Sequence, residues 1–261
     1  MGSAGVLLRG GTAGAAAVIA FAAQIGRADR RLVAHARWIA AGGAVLSAPL
    51  LIADLGRPDR FLYMLRVFKP QSAMSVGVWT LSAFGAAATG AVLFSHRRIG
   101  DVAAVGAAAT GLVMASYTGV LLGATSIPVW SRHVALLPAH FAASAAASAA
   151  SALQLAGHDD EALQLIALAA AGFESFAGLQ IEMSRDPTLT RGATGLTTRI
   201  GGFFSGPLPL LLRLLGGHSK NARKAAAASA LLGSVITRFA WVEAGRESAG
   251  KYRPAAKNAQ G

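Results

Sequence analysis

Long apolar stretches alternate with short polar segments along the whole chain, a pattern that predicts a bundle of membrane-spanning helices. A transmembrane helix needs about 20 mostly apolar residues, and eight stretches approach that length. They cover residues 10–26, 32–54, 72–95, 102–124, 130–156, 159–183, 200–216 and 223–244. The predicted fold is an all-α integral membrane protein with eight transmembrane helices in one domain, residues 1–244. A polar tail, residues 245–261, follows it.

Two of the stretches have an unusual composition. The seventh is short, and Pro207 and Pro209 predict a kink or a re-entrant segment, because proline removes a helical hydrogen bond. The fifth contains the alanine- and serine-rich run "HFAASAAASAASALQLAG". Small side chains let transmembrane helices approach closely, so we expect tight packing around the fifth stretch.

An even number of spans places both chain ends on one side of the membrane, which we call side A; the opposite side is side B. Lysine and arginine flank the spans on both sides. The positive-inside rule therefore does not decide the orientation.

Composition supports a membrane protein. Hydrophobic residues make up 54% of the chain and charged residues 14%, against about a quarter charged in soluble domains. The net charge of +12 comes from lysines and arginines that cluster between the apolar stretches. Those positions suit contact with lipid headgroups, so we expect membrane lipid, and no nucleic acid, as a partner.

The chain contains no cysteine, which excludes iron–sulfur clusters and cysteine-ligated zinc held by this chain. A bis-histidine haem needs two histidines at one depth on facing helices. His140 is predicted near mid-depth of the fifth stretch and has no such partner, since His133 is expected two turns away on the same helix face. We therefore expect no haem, and if this protein handles electrons, another subunit must deliver them.

The ionisable residues predicted inside the bilayer lie mostly in the half near side A. They include Tyr117, His140, Glu174 and Arg238. Because buried charge is costly, a polar cavity open towards side A is the simplest explanation. Glu174 could form a structural ion pair with Arg238 or handle protons; Arg238 could instead extend to the membrane surface, and His140 could be a hydrogen-bonded core residue. The half near side B is poor in ionisable residues, so no proton path through the membrane is predicted.

Four motifs are similar to the signature of one family of membrane subunits. The longest, "LLIADLGRPDRFLYMLRVFKPQSAMSVGVW" (50–79), contains a rigid polar loop between two spans. The others are "ASYTGVLLGATSIPVW" (115–130), "HFAASAAASAA" (140–150) and "RFAWVEAGRESA" (238–249). Together they resemble the NrfD/polysulfide-reductase family.

This resemblance implies a fold of two four-helix bundles and a role in electron transport. Such subunits bind menaquinone or ubiquinone and exchange electrons with a four-cluster ferredoxin-like iron–sulfur subunit. A molybdopterin catalytic subunit lies beyond it, and the membrane subunit is not catalytic alone. The family's quinone-binding tyrosine corresponds to Tyr117. In such a complex Glu174 and His140 would transfer protons, and the expected location is a prokaryotic plasma membrane.

The polar loop is expected to hold this complex together. Asp54 and Arg57 can pair across the turn and are assigned, with Tyr117, to the quinone site. Arg60, Arg66 and Lys69 are expected to face the partner subunit or the headgroups.

One departure from the family concerns the start of the first span. Better-characterised relatives carry a histidine and an asparagine there, whereas this chain reads "MGSAGVLLRGG". Two alternative functions are therefore considered besides that of a quinone-reactive subunit. One is a structural membrane anchor with a degenerate quinone site. The other is a small-anion transporter that uses the arginine-lined loops and the kinked seventh span.

Overall fold

A computed structural model describes residues 2–54, 63, 65–184, 186–216 and 219–251. The described part of the chain is almost entirely α-helical and contains no β-strand. In chain order the helices are α1 (Gly2–Ile25), α2 (Arg30–Asp54), α3 (Ala73–Leu93), α4 (Arg98–Gly123), α5 (Pro128–Ser131), α6 (Leu136–Leu155), α7 (Glu161–Ser184), α8 (Pro187–Thr190), α9 (Gly192–Ser205), α10 (Pro207–Leu215) and α11 (Lys220–Lys251).

Five of the described helices, α3, α4, α6, α7 and α11, are long and apolar enough to cross a membrane. Helix α1 has a shorter apolar part, Gly10–Ile25. The structure thus supports several membrane crossings, while the count of eight remains a prediction.

The helices pack in two groups that share a seam. Helix α1 packs on α2 and α4, and α3 completes the first group by contacting α2 and α4. The second group consists of α6, α7, α11 and the pair α9 and α10. Contacts of α6 with α1 and α4 join the two groups, so α6 lies at the centre of the molecule.

Small side chains make this close packing possible. Alanines on α1, α2 and α6 are fully buried, among them Ala16, Ala36, Ala145 and Ala149. Hydroxyl groups link the helices as well: Ser144 and Ser148 of α6 each donate to Oγ of Ser234 on α11 at 3.0 Å. The serine- and alanine-rich run thus forms the central helix, because its small residues admit neighbours on every side.

The structure differs from the predicted spans in three places. The fifth span is divided: the short helix α5 and a turn precede α6, so His133 lies before the helix that carries His140. The prediction that both histidines share a helix face is therefore wrong. His140 is the fifth residue of α6, about 6 Å from the start of this helix.

The other two differences concern the last helices. The seventh span begins earlier than predicted and consists of two helices, α9 and α10, that meet at Gly206. The final helix continues to Lys251, so the polar tail predicted from residue 245 starts inside α11.

Candidate functional site

The break in the seventh segment lies directly against α7. Gly206 occupies the break with a non-helical backbone, φ −112° and ψ −87°. Pro207 then begins α10, a position where its missing N–H leaves no helical bond unmade. A Cβ atom at Gly206 would lie 2.8 Å from the backbone nitrogen of Ser175. Glycine therefore allows the end of α9 to rest on the middle of α7.

Glu174 lies at this crossing, with 1% of its surface exposed. The hydroxyl of Ser205, the last residue of α9, donates to its Oε2 at 2.9 Å. Its other oxygen, Oε1, lies 3.6 Å from Nδ1 of His140 on α6. That separation is too long for a direct hydrogen bond but suits an ion pair. The structure thus brings together the two residues that the sequence assigns to proton transfer.

The facing atoms of this pair are unsatisfied. Neither Nδ1 of His140 nor Oε1 of Glu174 has a hydrogen-bond partner in the described part of the chain. Buried polar atoms in folded proteins are nearly always hydrogen-bonded, so such exceptions call for a physical explanation. A carboxylate and an imidazole held in this way can accept or pass on a proton.

Arg238 on α11 provides a positive charge beside the pair. Its side chain is 2% exposed. Its guanidinium carbon lies 5.1 Å from the centre of the Phe141 ring, and its charge interacts with that of Glu174. This burial contradicts the alternative in which Arg238 extends to the membrane surface. The arginine instead contributes charge to the interior, where Glu174 can balance it.

Trp241, one turn after Arg238 on α11, connects this buried pair with the turn before α6. Its ring centre lies 6.3 Å from that of His140 and 5.9 Å from that of His133. Only 1% of Trp241 is exposed. The indole therefore stands between the two histidines.

A cavity of about 690 Å³ opens between this turn and the side A end of α7. Its lining consists of Arg132, His133, Ala135, Leu136, Phe176, Gln180, Met183 and Ser184. Apolar walls with a few polar groups are typical of small-molecule sites. His140 lies one helical turn beyond Leu136, and Glu174 lies two residues before Phe176. The buried pair is therefore close to the lining but is not part of it.

His133 is the titratable group at the cavity wall. Burial lowers the pKa of His133, Asp186 opposes this shift, and Arg132 adds to it. A neutral imidazole has one donor and one acceptor nitrogen, and Nε2 has no partner among the described residues. Nη1 of Arg132 bonds Oδ2 of Asp186 at 3.1 Å, and Asp186 also caps α8 through the backbone N–H of Thr188. The rim of the cavity is thus fixed by an ion pair and a helix cap.

Two of the sequence motifs meet beside this site. The indole N–H of Trp130 donates to the backbone carbonyl of Trp241 at 3.0 Å. A Cβ atom at Gly245 would lie 2.1 Å from the Trp130 ring. The motif at 115–130 therefore packs on the motif at 238–249, and together they fix the end of α11 against α5.

Tyr117 lies elsewhere, on the face of α4 that packs against α3. Its hydroxyl donates to the backbone carbonyl of Ala73, and its half-buried ring fills the space beside Gly77. Gly119, two residues further on, faces the start of α6 instead. The structure therefore does not bring Tyr117 to the His140–Glu174 pair.

The predicted polar loop is described only in part. Arg57 and Arg60, and the side chain of Asp54, lie outside the described residues. Arg66 and Lys69 are exposed, and the backbone N–H of Lys69 donates to Oγ of Ser75 in α3. Both charged groups are therefore accessible near the start of α3.

A second buried polar cluster, in the half near side B, was not predicted. Arg213 of α10 is 3% exposed, and its Nη1 donates to Oε1 of Gln154 at 2.9 Å and to Oε1 of Gln164 at 2.8 Å. Arg37 of α2 is also buried and bonds Gln24 at 2.7 Å. The prediction that this half is poor in ionisable residues is therefore wrong. The available signal was Arg213 itself, inside the leucine run of the seventh stretch.

Several apolar helices with polar side chains buried between them define a multi-pass α-helical membrane protein. The polysulfide reductase family model NrfD_2 matches residues 4–252, nearly the whole chain. The chain therefore belongs to the polysulfide reductase family, as its motifs predicted, and this family indicates a membrane subunit of an oxidoreductase. A comparison with curated proteins gives no match.

Proposed function

We propose that the chain is the quinone-reactive membrane subunit of a multi-subunit oxidoreductase. The observation that carries this proposal is the unsatisfied pair of Glu174 and His140, 3.6 Å apart, beside the cavity at the side A end of α7. A quinone needs an apolar slot, hydrogen-bonding groups for its carbonyls, and proton carriers close to them. The cavity and the pair offer all three.

The chemistry divides between this chain and its partners. Oxidation of a quinol releases two protons and two electrons, and reduction of a quinone takes up the same. His133 and Gln180 in the cavity wall are suited to hydrogen-bond the quinone oxygens, while Glu174 and His140 exchange protons with them. The electrons pass to or from a four-cluster ferredoxin-like iron–sulfur subunit, and from there to a molybdopterin subunit. Menaquinone and ubiquinone both fit this scheme.

The remaining family features belong to the same proposal. Eight spans, arranged as two four-helix bundles, cross a prokaryotic plasma membrane. Arg66 and Lys69, which are exposed, join Arg60 in docking the iron–sulfur subunit. The resemblance assigns the quinone to Asp54, Arg57 and Tyr117, and of these Tyr117 lies between α3 and α4. The position we propose is instead the cavity between α6 and α7.

A structural anchor with a degenerate quinone site is the second candidate. The phenol of Tyr117 is already bonded to the backbone carbonyl of Ala73, so it has no free hydrogen for a quinone. The first span also starts without the histidine and asparagine of better-characterised relatives, which favours the same alternative. In this alternative Glu174, His140 and Arg238 would contribute to stability alone.

The first experiment is purification of the chain from its native membrane in mild detergent. The partner proteins and the extracted quinone are then identified. An iron–sulfur partner together with quinone supports the proposal. A partner without quinone favours the anchor, and a lone protein without quinone favours the small-anion transporter.

The second experiment tests the pair in the assembled complex. Glu174→Gln is expected to lower quinone-linked turnover about 100-fold, because a general acid–base contributes about 10²–10⁴-fold. Glu182→Gln is the matched control, since Glu182 lies on the same helix but is exposed and paired with Arg199. Tyr117→Phe, measured alongside, separates the two quinone positions. Normal turnover of Glu174→Gln in an intact complex would refute the proposed proton transfer.

A further inference from the structure

A basic pocket lies at the side B end of the second helix group, far from the cavity described above. It has a volume of about 190 Å³. Its lining consists of Gln154, Gly157, His158, Asp159, Lys220, Arg223 and Lys224. Helix α6 ends here and α11 begins, so the pocket lies at the level where lipid headgroups meet protein.

The charges of the pocket are positive and incompletely balanced. Asp159, its one acidic lining residue, pairs with Arg223 through Oδ1 and Nη1 at 2.7 Å. Lys220 and Lys224 are exposed and form no ion pair within the described ranges. Nε of Arg223 is buried and has no hydrogen-bond partner there. The ammonium groups of Lys220 and Lys224 thus remain available to an anion, with the guanidinium of Arg223 in the same lining.

Arg213 adds a permanent positive charge behind the pocket. Its amide partner Gln154 belongs to the lining, so the arginine lies behind that wall. Both Nε and Nη2 of Arg213 lack partners in the described part of the chain, and Nη1 donates to uncharged amides. An unbalanced charge in a region of low dielectric raises the positive potential at the pocket.

Exposed leucines at the same end favour a lipid over a soluble anion. Leu214 and Leu215 of α10 are 61% and 85% exposed, and Leu155 of α6 is 42% exposed. In a membrane these side chains meet acyl chains, while the adjacent pocket meets the headgroups. The pocket volume of about 190 Å³ admits a phosphate group.

We propose that this pocket binds the phosphate of an anionic phospholipid, held by Lys220, Arg223 and Lys224. Basic pockets between transmembrane helices are known to bind anionic headgroups. Bound there, the lipid would bridge α6 and α11, the central and the last helix of the bundle.

The test uses the full chain in nanodiscs that contain phosphatidylcholine and a small fraction of phosphatidylglycerol. Retained lipids are counted by native mass spectrometry. The double variant Lys220→Gln/Lys224→Gln is compared with Arg97→Gln/Arg98→Gln, which removes two exposed charges on the same side but outside the pocket. We expect the first variant to bind phosphatidylglycerol about 25-fold more weakly, at about fivefold per charge. The control should change less than about twofold.

Two outcomes would overturn the proposal. Equal losses in both variants would mean that general surface charge, not the pocket, attracts the lipid. A second arm adds inorganic phosphate to the chain in pure phosphatidylcholine at constant ionic strength. Stabilisation by phosphate without any preference for phosphatidylglycerol would assign the pocket to a free anion instead.

Discussion

The two halves of the molecule each bury an arginine, but they surround it differently. Near side A, Arg238 has the carboxylate of Glu174 within electrostatic range and an aromatic ring below its guanidinium. Near side B, Arg213 bonds the amide oxygens of Gln154 and Gln164. The first environment contains groups that can gain or lose a proton. The second contains amides, which cannot.

This difference separates two uses of a buried charge. A charge beside a carboxylate and an imidazole can be balanced or unbalanced as protons move, which suits a site where protons are exchanged. A charge among amides keeps its value at every physiological pH. It therefore suits a fixed electrostatic role, such as attraction of an anion to the basic pocket near side B.

The largest effect is expected from the same substitution at both arginines. Arg238→Met should lower the free energy of unfolding by about 3–5 kcal/mol, because it removes the positive charge beside the buried carboxyl group of Glu174. Arg213→Met should cost less than about 1.5 kcal/mol, since Nε2 of Gln154 still donates to Oε1 of Gln164. The measurement is thermal unfolding of both variants in one detergent.

Equal effects at the two positions would break this comparison. If Arg238→Met were as mild as Arg213→Met, the charge of Arg238 would not be needed to balance Glu174. The contrast between the two buried arginines would then fail.

A smaller effect is expected at the helix break. Gly206→Ala should destabilise the protein by about 1–3 kcal/mol and lower turnover, because the new methyl group would strike the backbone of Ser175 and shift Ser205 away from Glu174. Gly202→Ala is the control, since a Cβ there meets no atom within 4 Å. It should be neutral or slightly stabilising, as alanine favours helix. Identical behaviour of the two variants would mean that the break does not position the site.

The smallest effect is a pH dependence at the cavity. Burial lowers the pKa of His133, so the unfolded chain binds a proton there at a higher pH than the folded protein. Stability from His133 is therefore present above the usual histidine pKa and is lost as the pH falls through the lowered value. His133→Gln should make the unfolding temperature depend less on pH between pH 8 and pH 5. His96→Gln, at an exposed position beyond α3, should leave the curve unchanged.

The sequence predicted the helices better than the turns and contacts between them. Apolar length located the helices, and Pro207 and Pro209 predicted the interruption, because a proline lacks the donor that a continuous helix needs. The division of the fifth stretch was not predicted, because the turn at residues 132–135 lies within a stretch that is apolar on average. Hydropathy averages over such turns and does not detect them.

Residue type predicted which side chains could take part in the chemistry, but it did not predict which of them are in contact. Glu174 and His140 were recognised separately because ionisable side chains inside a membrane are costly. Their approach to 3.6 Å depends on the packing of α6 against α7. Tyr117 was assigned to the same function by resemblance, yet its helix face places it against α3.

The sequence by itself determined that this chain is a helical membrane protein of the polysulfide reductase family, because apolar length and motif spacing are properties of the linear chain. Only the tertiary structure decided which charges share a site. Gly206 lets α9 reach α7, and Gln154 and Gln164 meet Arg213 from two helices. Such contacts depend on helix rotation and close approach, which small residues permit but do not encode in any local pattern.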